Sequence, residues 1–450
     1  MSKLFGTDGI RGVVNESLDA ALAYRIGQAA ATVLAEGREE RPVVVVGKDT
    51  RRSSDLLEGA LIAGLCTSGA DVIALGVIPT PAVSYLTVKN QAAAGVVISA
   101  SHNPFEYNGI KFFGATGQKL SDEAESRIEE LIQSEGTLPL KKGAEIGSVL
   151  RSEQSREEYV AHLADSVQHP LEGLRVLIDC ANGAASYTAH QLFSRFPMET
   201  AFIHDCPNGV NINNNCGSTH LADLGQQVVS GGYDLGVAFD GDADRCLVVD
   251  EHGDEVDGDK MMALCAEHLL KEGRLAGGGF VGTVMSNLGL HRYCAEHGLK
   301  LLCAPVGDRY VLEMMQQEGM ILGGEQSGHV IFLDEMPTGD GQLTALHFLQ
   351  IVCQEKQPVS ALVGAIPRFP QVLLGAKASL YVDDRRAVMQ NQTLLDAIAA
   401  AEAELGDSGR VLIRPSGTEA LIRVMVEALD ANQAQNVAEN LLHIIQDLQN

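Results

Sequence analysis

Basic residues are scarce in this chain, which carries 33 lysines and arginines against 59 aspartates and glutamates in 450 residues. The formal charge of −26 argues against nucleic acid as a partner, because a phosphate backbone requires a basic face on the protein. A small anionic substrate is not excluded, since a local group of arginines can attract it despite the global field.

Closely spaced cysteine pairs and long apolar runs are also absent. The nine cysteines are scattered with no Cys-x-x-Cys pair, which indicates reduced thiols and not a disulfide framework. No apolar run is long enough to span a bilayer, and residues 1–9 lack the apolar core of a signal peptide. We therefore expect a cytoplasmic protein with no membrane partner.

What the sequence does contain is an alternation of strand-like and helix-like segments. Its hydrophobic content is 45%, and its length predicts about three domains at roughly 150 residues each. Apolar runs such as 42–46 and 71–75 alternate with helical periodicity such as 55–68, which predicts parallel sheets. The tail, with an expected strand at 372–382, predicts a small α+β domain instead.

The most informative stretch is Ser-Ala-Ser-His-Asn-Pro at residues 99–104, which follows the buried apolar run 95–98. Ligands of open α/β sheets bind beyond the carboxyl ends of the strands, so Ser101 and His102 lie where a reactive group is expected. A solvated turn explains these residues about equally well when they are taken alone.

Three aspartates follow another apolar run and alternate with small residues: Asp240, Asp242 and Asp244. Their oxygens can converge on one hard cation, which removes the repulsion between the carboxylates. A calcium-binding EF-hand fails because Arg245 replaces the glycine of its sharp turn and because the flanks are β-like. A solvated acidic turn is disfavoured by the apolar runs on both sides. We predict Mg²⁺, since few protein ligands leave room for a phosphate oxygen.

An anion-binding loop is predicted near the end of the chain. Arg414 and Arg423 flank a turn, Ser416, Gly417 and Thr418, whose hydroxyl and N–H groups can cradle an anion. The loop is not a Walker A motif, because no lysine follows the glycine at the required spacing. A hairpin turn with surface arginines is the alternative.

Three weaker signals complete the set. Glu325 and Ser327 lie between glycines and suit hydrogen bonding to sugar hydroxyls. Lys111 can neutralise a phosphate or move a proton, and it can equally be a surface lysine. The basic residues of segment 47–52 can meet an anion or form a solvated loop.

These elements fall in successive units of the chain, and together they describe phosphoryl transfer at a site between domains. A metal would offset the charge of a phosphate on Ser101, Glu325 and Ser327 would orient a polyol, and the Arg414 loop would hold a second phosphate. Catalysis would then consist mostly of positioning and charge neutralisation.

Along essentially its full length the chain resembles the phosphohexomutase superfamily. The resemblance is carried, in order, by Ser-Ala-Ser-His-Asn-Pro at 99–104, Asp-Gly-Asp-Ala-Asp-Arg at 240–245, Gly-Glu-Gln-Ser-Gly-His at 324–329 and Arg-Pro-Ser-Gly-Thr-Glu at 414–419. Segments 4–12, 108–113 and 307–310 resemble the bacterial branch of the superfamily that acts on glucosamine phosphates.

The resemblance implies an α/β fold of four domains in a heart-shaped molecule with a central cleft. Three related α/β domains with mixed sheets would precede a smaller α+β C-terminal domain. The implied boundaries are 1–155 with the phosphoserine loop, 156–255 with the metal loop, 256–368 with the sugar loop and 369–450 with the phosphate loop.

The activity implied by the resemblance is an isomerisation of glucosamine 6-phosphate to glucosamine 1-phosphate, on the route to UDP-N-acetylglucosamine. It would pass through a phosphorylated Ser101 and a 1,6-bisphosphate. Mg²⁺ would be bound by the phosphoserine and the three aspartates, and glucosamine 1,6-bisphosphate or another sugar bisphosphate would serve as activator. The partner would be a small sugar phosphate, and a homodimer is compatible with the resemblance.

Further site residues follow from the resemblance. Arg11, His102, Lys111 and Arg245 are expected around the reacting phosphate, and Asp308 and Arg309 are expected to join the sugar-binding group. The proton acceptor stays open between Lys111, His102 and Arg245.

The sequence departs from the family pattern at one position and leaves other functions open. Ala420 stands where the family usually has proline, which leaves the mobility of the phosphate loop open. A glucose or mannose phosphate mutase, a metal-dependent phosphatase and a non-catalytic sugar-phosphate-binding protein are the competing functions.

Overall fold

The computed structural model describes residues 4–6, 8–134, 138–379, 382–416 and 421–449. The chain divides into two compact units. The first unit consists of Met1–Val284 and Leu299–Gly364, and the second consists of Met285–Gly298 and Ala365–Asn450.

In the described part of the chain, eighteen strands form four sheets. The strands are β1 (Ile10–Val13), β2 (Val43–Lys48), β3 (Asp71–Val77), β4 (Ala94–Ile98), β5 (Tyr107–Gly114), β6 (Val149–Arg151), β7 (Arg175–Asp179), β8 (Glu199–Ile203), β9 (Leu235–Phe239), β10 (Cys246–Val249), β11 (Glu255–Val256), β12 (Gly279–Thr283), β13 (Lys300–Ala304), β14 (Leu322–Gly324), β15 (Val330–Phe332), β16 (Gln371–Lys377), β17 (Gly409–Pro415) and β18 (Leu421–Ala428).

The same residues contain fifteen α-helices. They are α1 (Ala20–Ala35), α2 (Arg52–Thr67), α3 (Thr80–Lys89), α4 (Asp122–Gln133), α5 (Ser155–Asp165), α6 (Ala189–Phe193), α7 (Ala222–Gly231), α8 (Gly258–Lys271), α9 (Leu288–His297), α10 (Asp308–Glu318), α11 (Gly341–Glu355), α12 (Val359–Val363), α13 (Val382–Met389), α14 (Gln392–Leu405) and α15 (Ala431–Asp447). None of these described helices combines the length and the apolar character needed to cross a bilayer.

The first sheet has the order β1-β5-β4-β2-β3-β6 and is mixed. β2, β3, β4 and β6 are parallel, as the alternation predicts, whereas β5 runs antiparallel to both β1 and β4. Sequence reasoning missed β5 because Asn108, Gly109 and Lys111 interrupt its apolar pattern. Pairing on both of its sides outweighs that weak local preference.

Helices α1 and α2 pack closely against each other beside this sheet. Leu57 and Leu61 of α2 are fully buried in the core, which stabilises the fold by about 1.5–3 kcal/mol for each side chain. Gly64 allows the close approach, since a Cβ atom there would lie 2.1 Å from the carbonyl oxygen of Tyr24.

The second and third sheets complete the first unit. The second has the order β11-β10-β9-β7-β8, with β8, β7 and β9 parallel and β10 and β11 antiparallel. The third has the order β13-β12-β14-β15, in which only β15 is antiparallel among its described strands. β4 and β9 are buried throughout, so the turns that follow them begin from rigid strands.

The second unit is built on the antiparallel sheet β16-β18-β17 with α9, α13, α14 and α15. Its core contains Leu394, Val424 and Leu441. The strand expected at 372–382 is too long, because β16 ends at Lys377 and α13 begins at Val382. Residues 380–381 of that expected strand lie outside the described part.

Candidate active site

Ser101 lies in the turn directly after β4, as the sequence predicts. Its side chain is almost fully buried, and its φ of +50° is in the left-handed region that side-chain-bearing residues rarely adopt. Its hydroxyl donates a hydrogen bond to Oδ2 of Asp240 over 2.5 Å. The turn after β4 and the turn after β9 therefore meet at this serine.

The three aspartates after β9 form a compact group. One carboxylate oxygen from each of Asp240, Asp242 and Asp244 lies within 4.8 Å of the others, and all three residues are buried. Thr80 of α3 fixes the middle one, since its hydroxyl donates to Oδ2 of Asp242 over 2.7 Å.

A divalent cation fits this group. Among the described residues, Oδ1 of Asp242 and Oδ1 of Asp244 are buried without a hydrogen-bond partner, which is costly for carboxylate oxygens. Desolvation and the neighbouring charges of Asp244 and Asp242 raise the pKa of Asp240 well above its ordinary value. Carboxylate oxygens are the hard ligands that a cation such as Mg²⁺ prefers, and a bound cation would remove the repulsion between the three carboxylates.

Lys111 on β5 is surrounded by carboxylates. Its Nζ lies 3.1 Å from Oδ2 of Asp242, 3.2 Å from Oδ2 of Asp8 and 3.7 Å from Oδ2 of Asp244. Burial alone would lower its pKa, but the charges of Asp242, Asp8 and Asp244 outweigh burial and raise it. The lysine is thus held in its charged form.

The surroundings of Lys111 extend into a charge ring, which we define as Asp244, Lys111, Asp8, Lys119, Asp308 and His329. Nζ of Lys119 lies 2.9 Å from Asp8 and 2.8 Å from Asp308. His329 closes the ring, with Nδ1 3.8 Å from Asp244 and Nε2 4.0 Å from Asp308. Burial lowers the pKa of His329, but the nearby carboxylate of Asp244, with smaller contributions from Asp308 and Glu325, outweighs burial and raises it to about 9.

Arg11, Arg245 and His102 complete the group expected around the reacting phosphate. The side chain of Arg11 pairs with Asp8, whereas Arg245 donates its backbone N–H to Oδ1 of Asp240 over 3.2 Å. Nδ1 of His102 lies 3.5 Å from the Ser101 hydroxyl. Burial, with the charges of Arg245 and Arg11, lowers the pKa of His102 to about 4, so its ring is neutral near pH 7.

The expected sugar-binding residues lie in the loop between β14 and β15 and at the start of α10. Oε1 of Glu325 accepts the N–H of Gly307 over 3.0 Å, which ties the loop after β14 to the start of α10. Ser327 is exposed. Asp308 belongs to the charge ring, whereas Arg309 pairs with Asp122 and Glu313.

The phosphate loop predicted from the tail lies in the second unit. Arg414 on β17 and Arg423 on β18 are directly opposite each other in the strand register. Ser416 is buried, and its carbonyl oxygen accepts a hydrogen bond from Nη1 of Arg385 over 2.8 Å. The remaining loop positions lie outside the described residues: Gly417, Thr418 and Ala420.

A second group of metal-ligand types consists of Asp179, His204 and Cys216. The carboxylate of Asp179 already holds the neighbouring loops in place, because it accepts the backbone N–H groups of Ala181 and Gly217 over 2.8 Å each. Nδ1 of His204 lies 3.1 Å from the same carboxylate. We therefore assign this group to loop packing.

Sequence reasoning left three charged neighbours out of the site. Asp8 and His329 lie inside segments on which the resemblance rests, 4–12 and 324–329. The residues predicted from those segments were Arg11, Glu325 and Ser327. Lys119 has no local signal, because only the folded chain brings it to Asp8 and Asp308.

Comparison with known proteins identifies the group to which the chain belongs. Four models of phosphoglucomutase/phosphomannomutase domains match it in order: domain I at 2–138, domain II at 157–253, domain III at 257–369 and the C-terminal domain at 380–444. The chain belongs to the phosphoglucomutase/phosphomannomutase family. The expected superfamily and four-domain α/β architecture are confirmed, while the boundaries and residue roles stay predictions.

Two relatives within the family match the whole chain. They are named phosphoglucosamine mutase and come from Desulforudis audaxviator and Moorella thermoacetica. The first is 49% identical over 449 residues, and the match covers 100% of this chain and 99% of the relative. The second is 48% identical over 449 residues, and the match covers 100% of both chains.

Solved structures of the family share the fold. A phosphoglucomutase/phosphomannomutase family protein from Burkholderia thailandensis is 26% identical with a TM-score of 0.81, covering 99% of this chain and 97% of its own. An N-acetylphosphoglucosamine mutase from Aspergillus fumigatus, solved with GlcNAc-6P and magnesium, is 17% identical with a TM-score of 0.74. It covers 99% of this chain and 96% of its own, and at this identity the match concerns the fold alone.

Proposed function

We propose that this chain is an isomerase that interconverts glucosamine 6-phosphate and glucosamine 1-phosphate. The full-length relatives named phosphoglucosamine mutase support this substrate pair. The observation that carries the proposal is the 2.5 Å contact between the Ser101 hydroxyl and Asp240, which brings the proposed nucleophile next to the carboxylates proposed to bind a cation. The biosynthetic role is the supply of glucosamine 1-phosphate for UDP-N-acetylglucosamine.

The reaction consists of two phosphoryl transfers at Ser101. In the first, the 1-hydroxyl oxygen of glucosamine 6-phosphate bonds to the phosphorus and a base takes the hydroxyl proton, while the bond from phosphorus to Oγ of Ser101 breaks and Oγ leaves with a proton. The resulting 1,6-bisphosphate reorients. Oγ of Ser101 then gives its proton to a base and bonds to the phosphorus at position 6, and the sugar oxygen leaves with a proton, which gives glucosamine 1-phosphate.

Asp240, Asp242 and Asp244, with the phosphate on Ser101, are the proposed ligands of Mg²⁺. When bound, the ion neutralises charge on the transferring phosphoryl group. The buried carboxylate oxygens of Asp242 and Asp244 that lack a hydrogen-bond partner in the described residues support this assignment. A sugar bisphosphate, such as glucosamine 1,6-bisphosphate, would load Ser101 at the start.

The cationic side chains have different proposed roles from the imidazoles. The proposed role of the cations is to stabilise negative charge, and it is assigned to Lys111, Arg11 and Arg245. Burial would lower the pKa values of Lys111 and Arg245, but the neighbouring carboxylates outweigh burial and raise them, so both side chains stay charged. Neutral His102, 3.5 Å from the Ser101 hydroxyl, is therefore the best suited of the three proton acceptors left open by the sequence. His329, held charged beside Asp244, is suited to donate a proton.

Substrate binding is proposed for two further groups. Glu325 and Ser327 bind sugar hydroxyls, with Asp308 and Arg309 at the start of α10. Phosphate binding is assigned to five residues of the tail: Arg414, Ser416, Gly417, Thr418 and Arg423. Arg414 and Arg423 are directly opposite each other on neighbouring strands, so their side chains lie on the same face of the sheet and both can contact one anion.

The deciding experiment is intact-mass analysis with peptide mapping, before and after incubation with glucosamine 1,6-bisphosphate and Mg²⁺. We expect one phosphoryl group on Ser101, lost again on addition of glucosamine 6-phosphate with formation of a bisphosphate. Failure of every sugar bisphosphate to label Ser101 would contradict the mechanism and leave family membership intact.

Competing functions are separated by product analysis. Rates on the 6-phosphates of glucosamine, glucose and mannose would show which substituent at the sugar 2-position is preferred, and a preference for glucose or mannose would contradict the proposed substrate. Release of free phosphate without an isomer would indicate a phosphatase.

A further inference from the structure

The backbone of the Ser101 loop is held by a buried arginine from outside the metal group. Arg51, just before α2, is fully buried. Its Nη2 donates to the carbonyl oxygens of Ser101 and Asn103 over 2.8 Å each, and its Nη1 donates to those of Tyr107, over 3.0 Å, and Pro104. One guanidinium thus gathers four carbonyl oxygens of the loop, a geometry that its planar fork of donors allows.

Asp49 anchors this arrangement on both sides of Ser101. Its Oδ2 accepts from Nε of Arg51 and from the hydroxyl of Ser99, each over 2.7 Å. The Ser99 oxygen in turn accepts the N–H of Ser101 over 3.0 Å. A single buried carboxylate therefore fixes the N–H of Ser101 through Ser99 and its carbonyl group through Arg51.

Asn213 holds the same carbonyl groups from the loop before α7. Its Nδ2 donates to the carbonyl oxygen of Ser101 over 2.8 Å and to that of Asn103 over 3.1 Å. Gly241 lies against this contact, because a Cβ atom there would be 2.6 Å from the Ser101 carbonyl oxygen. The reactive turn is thus clamped from two sides while Oγ faces Asp240.

This network matches the demand of phosphoryl transfer. Ser101 has a left-handed φ of +50°, which surrounding contacts must enforce. Transfer requires the oxygen to be in line with the phosphorus, and a displacement of about 1 Å can cost on the order of 100-fold in rate. A loop free to relax would move Oγ away from Asp240.

We propose that Arg51, Asn213 and Asp49 are positioning residues that hold the Ser101 loop in its transfer-competent conformation. The proposal rests on the function proposed above, and none of the three need touch the substrate. Their loss should therefore slow the chemical step and leave substrate affinity in place.

The test compares Arg51→Lys with Arg52→Lys. Lysine at 51 keeps the charge beside Asp49 but lacks the fork that reaches four carbonyl groups, so we expect kcat to fall about 10- to 100-fold with KM within about twofold of wild type. Arg52 is the exposed neighbour, and its substitution should leave both constants unchanged. Single-turnover transfer from phosphorylated Ser101 to glucosamine 6-phosphate should slow by the same factor as kcat.

Asn213→Ala provides an independent test that leaves the buried ion pair in place. Its kcat should fall about tenfold. In the double variant Arg51→Lys/Asn213→Ala, the fold decrease in kcat should be smaller than the product of the two single decreases, because both side chains hold the same carbonyl groups. If Arg51→Lys does not fold, Asn213→Ala and Ser99→Ala carry the test.

Three outcomes would overturn the positioning role. They are a folded Arg51→Lys with unchanged kcat, a raised KM at constant kcat, and two single losses that simply multiply. A wild-type protein without mutase activity would instead contradict the proposed function. The positioning role could then still be tested by comparing the rate at which a sugar bisphosphate labels Ser101 in wild type and in Arg51→Lys.

Discussion

The hydroxyl of Ser101 donates to the carboxylate of Asp240 across a separation of 139 residues in the chain. A phosphoryl group on the same oxygen removes that donor and adds between one and two negative charges beside the carboxylate at pH 7. The pair cannot persist unchanged after phosphorylation unless positive charge lies between the two groups. Phosphorylation and cation binding are therefore expected to be coupled.

Ser101→Ala removes the proposed nucleophile. We expect mutase activity to fall on the order of 10⁴-fold or more, with no label from a sugar bisphosphate, because no other group replaces the attacking oxygen. Ser230→Ala, at an exposed position of α7, is the control and should be labelled and active like wild type. A labelled, active Ser101→Ala protein would refute the assignment.

Asp242→Asn tests the cation site without relying on turnover. Loss of a direct ligand should weaken Mg²⁺ binding at least as much as the roughly 10- to 100-fold cost of losing an outer partner. It should also reduce the rise in unfolding temperature that Mg²⁺ produces. Calorimetric titration and thermal unfolding provide the measurements. Asp254→Asn changes an exposed carboxylate in the turn after β10 and should behave like wild type.

Asp340 predicts a pH dependence of stability. It caps α11, accepts the Tyr159 hydroxyl over 2.8 Å, and has its pKa raised to about 6 by burial. The folded state holds this proton more tightly than an unfolded chain, in which aspartates titrate near about 3.9. This contribution to the free energy of unfolding is therefore complete below about pH 4 and decreases, by about 3 kcal/mol, as pH rises through 6.

Asp340→Asn removes that titration and keeps an oxygen for the cap. From pH 4 to pH 7, the unfolding temperature of the variant should therefore rise relative to that of wild type. Thermal unfolding of both proteins across this range checks the sign. A constant difference between them would contradict the prediction.

Two glycines of α2 predict opposite effects on stability. Gly59 is exposed with no atom within 4 Å of an added Cβ, so Gly59→Ala should stabilise the protein by about 0.5–1 kcal/mol. Gly64→Ala would place a Cβ 2.1 Å from the Tyr24 carbonyl oxygen and should destabilise it by about 1–3 kcal/mol or more. Unfolding of both variants in urea provides the comparison, and effects of the same sign would contradict it.

Residues that end a strand in a recognisable order could be placed from the sequence. Ser101 and Asp240 were found because each follows a continuous apolar run, and the structure brings them into contact. Arg51 could be seen only as one of several basic residues able to meet an anion. It meets carbonyl oxygens and Asp49 instead, a result of tertiary packing that has no local pattern.

The fold shows the same division between local and long-range information. The helical periodicity at 55–68 corresponds to α2, because this periodicity is a local feature of the sequence. β5 was missed although it carries Lys111, because what stabilises it is pairing with β1 and β4.

The charge ring also constrains how the protein matures during synthesis. Lys119 leaves the ribosome 189 residues before Asp308, the carboxylate that it pairs with over 2.8 Å. Until His329 has emerged as well, the ring is open and its charges are balanced only in part. A nascent or truncated chain that stops earlier can carry Ser101 and the aspartates yet lack the electrostatic environment of the finished site, so phosphorylation competence should be acquired late in synthesis.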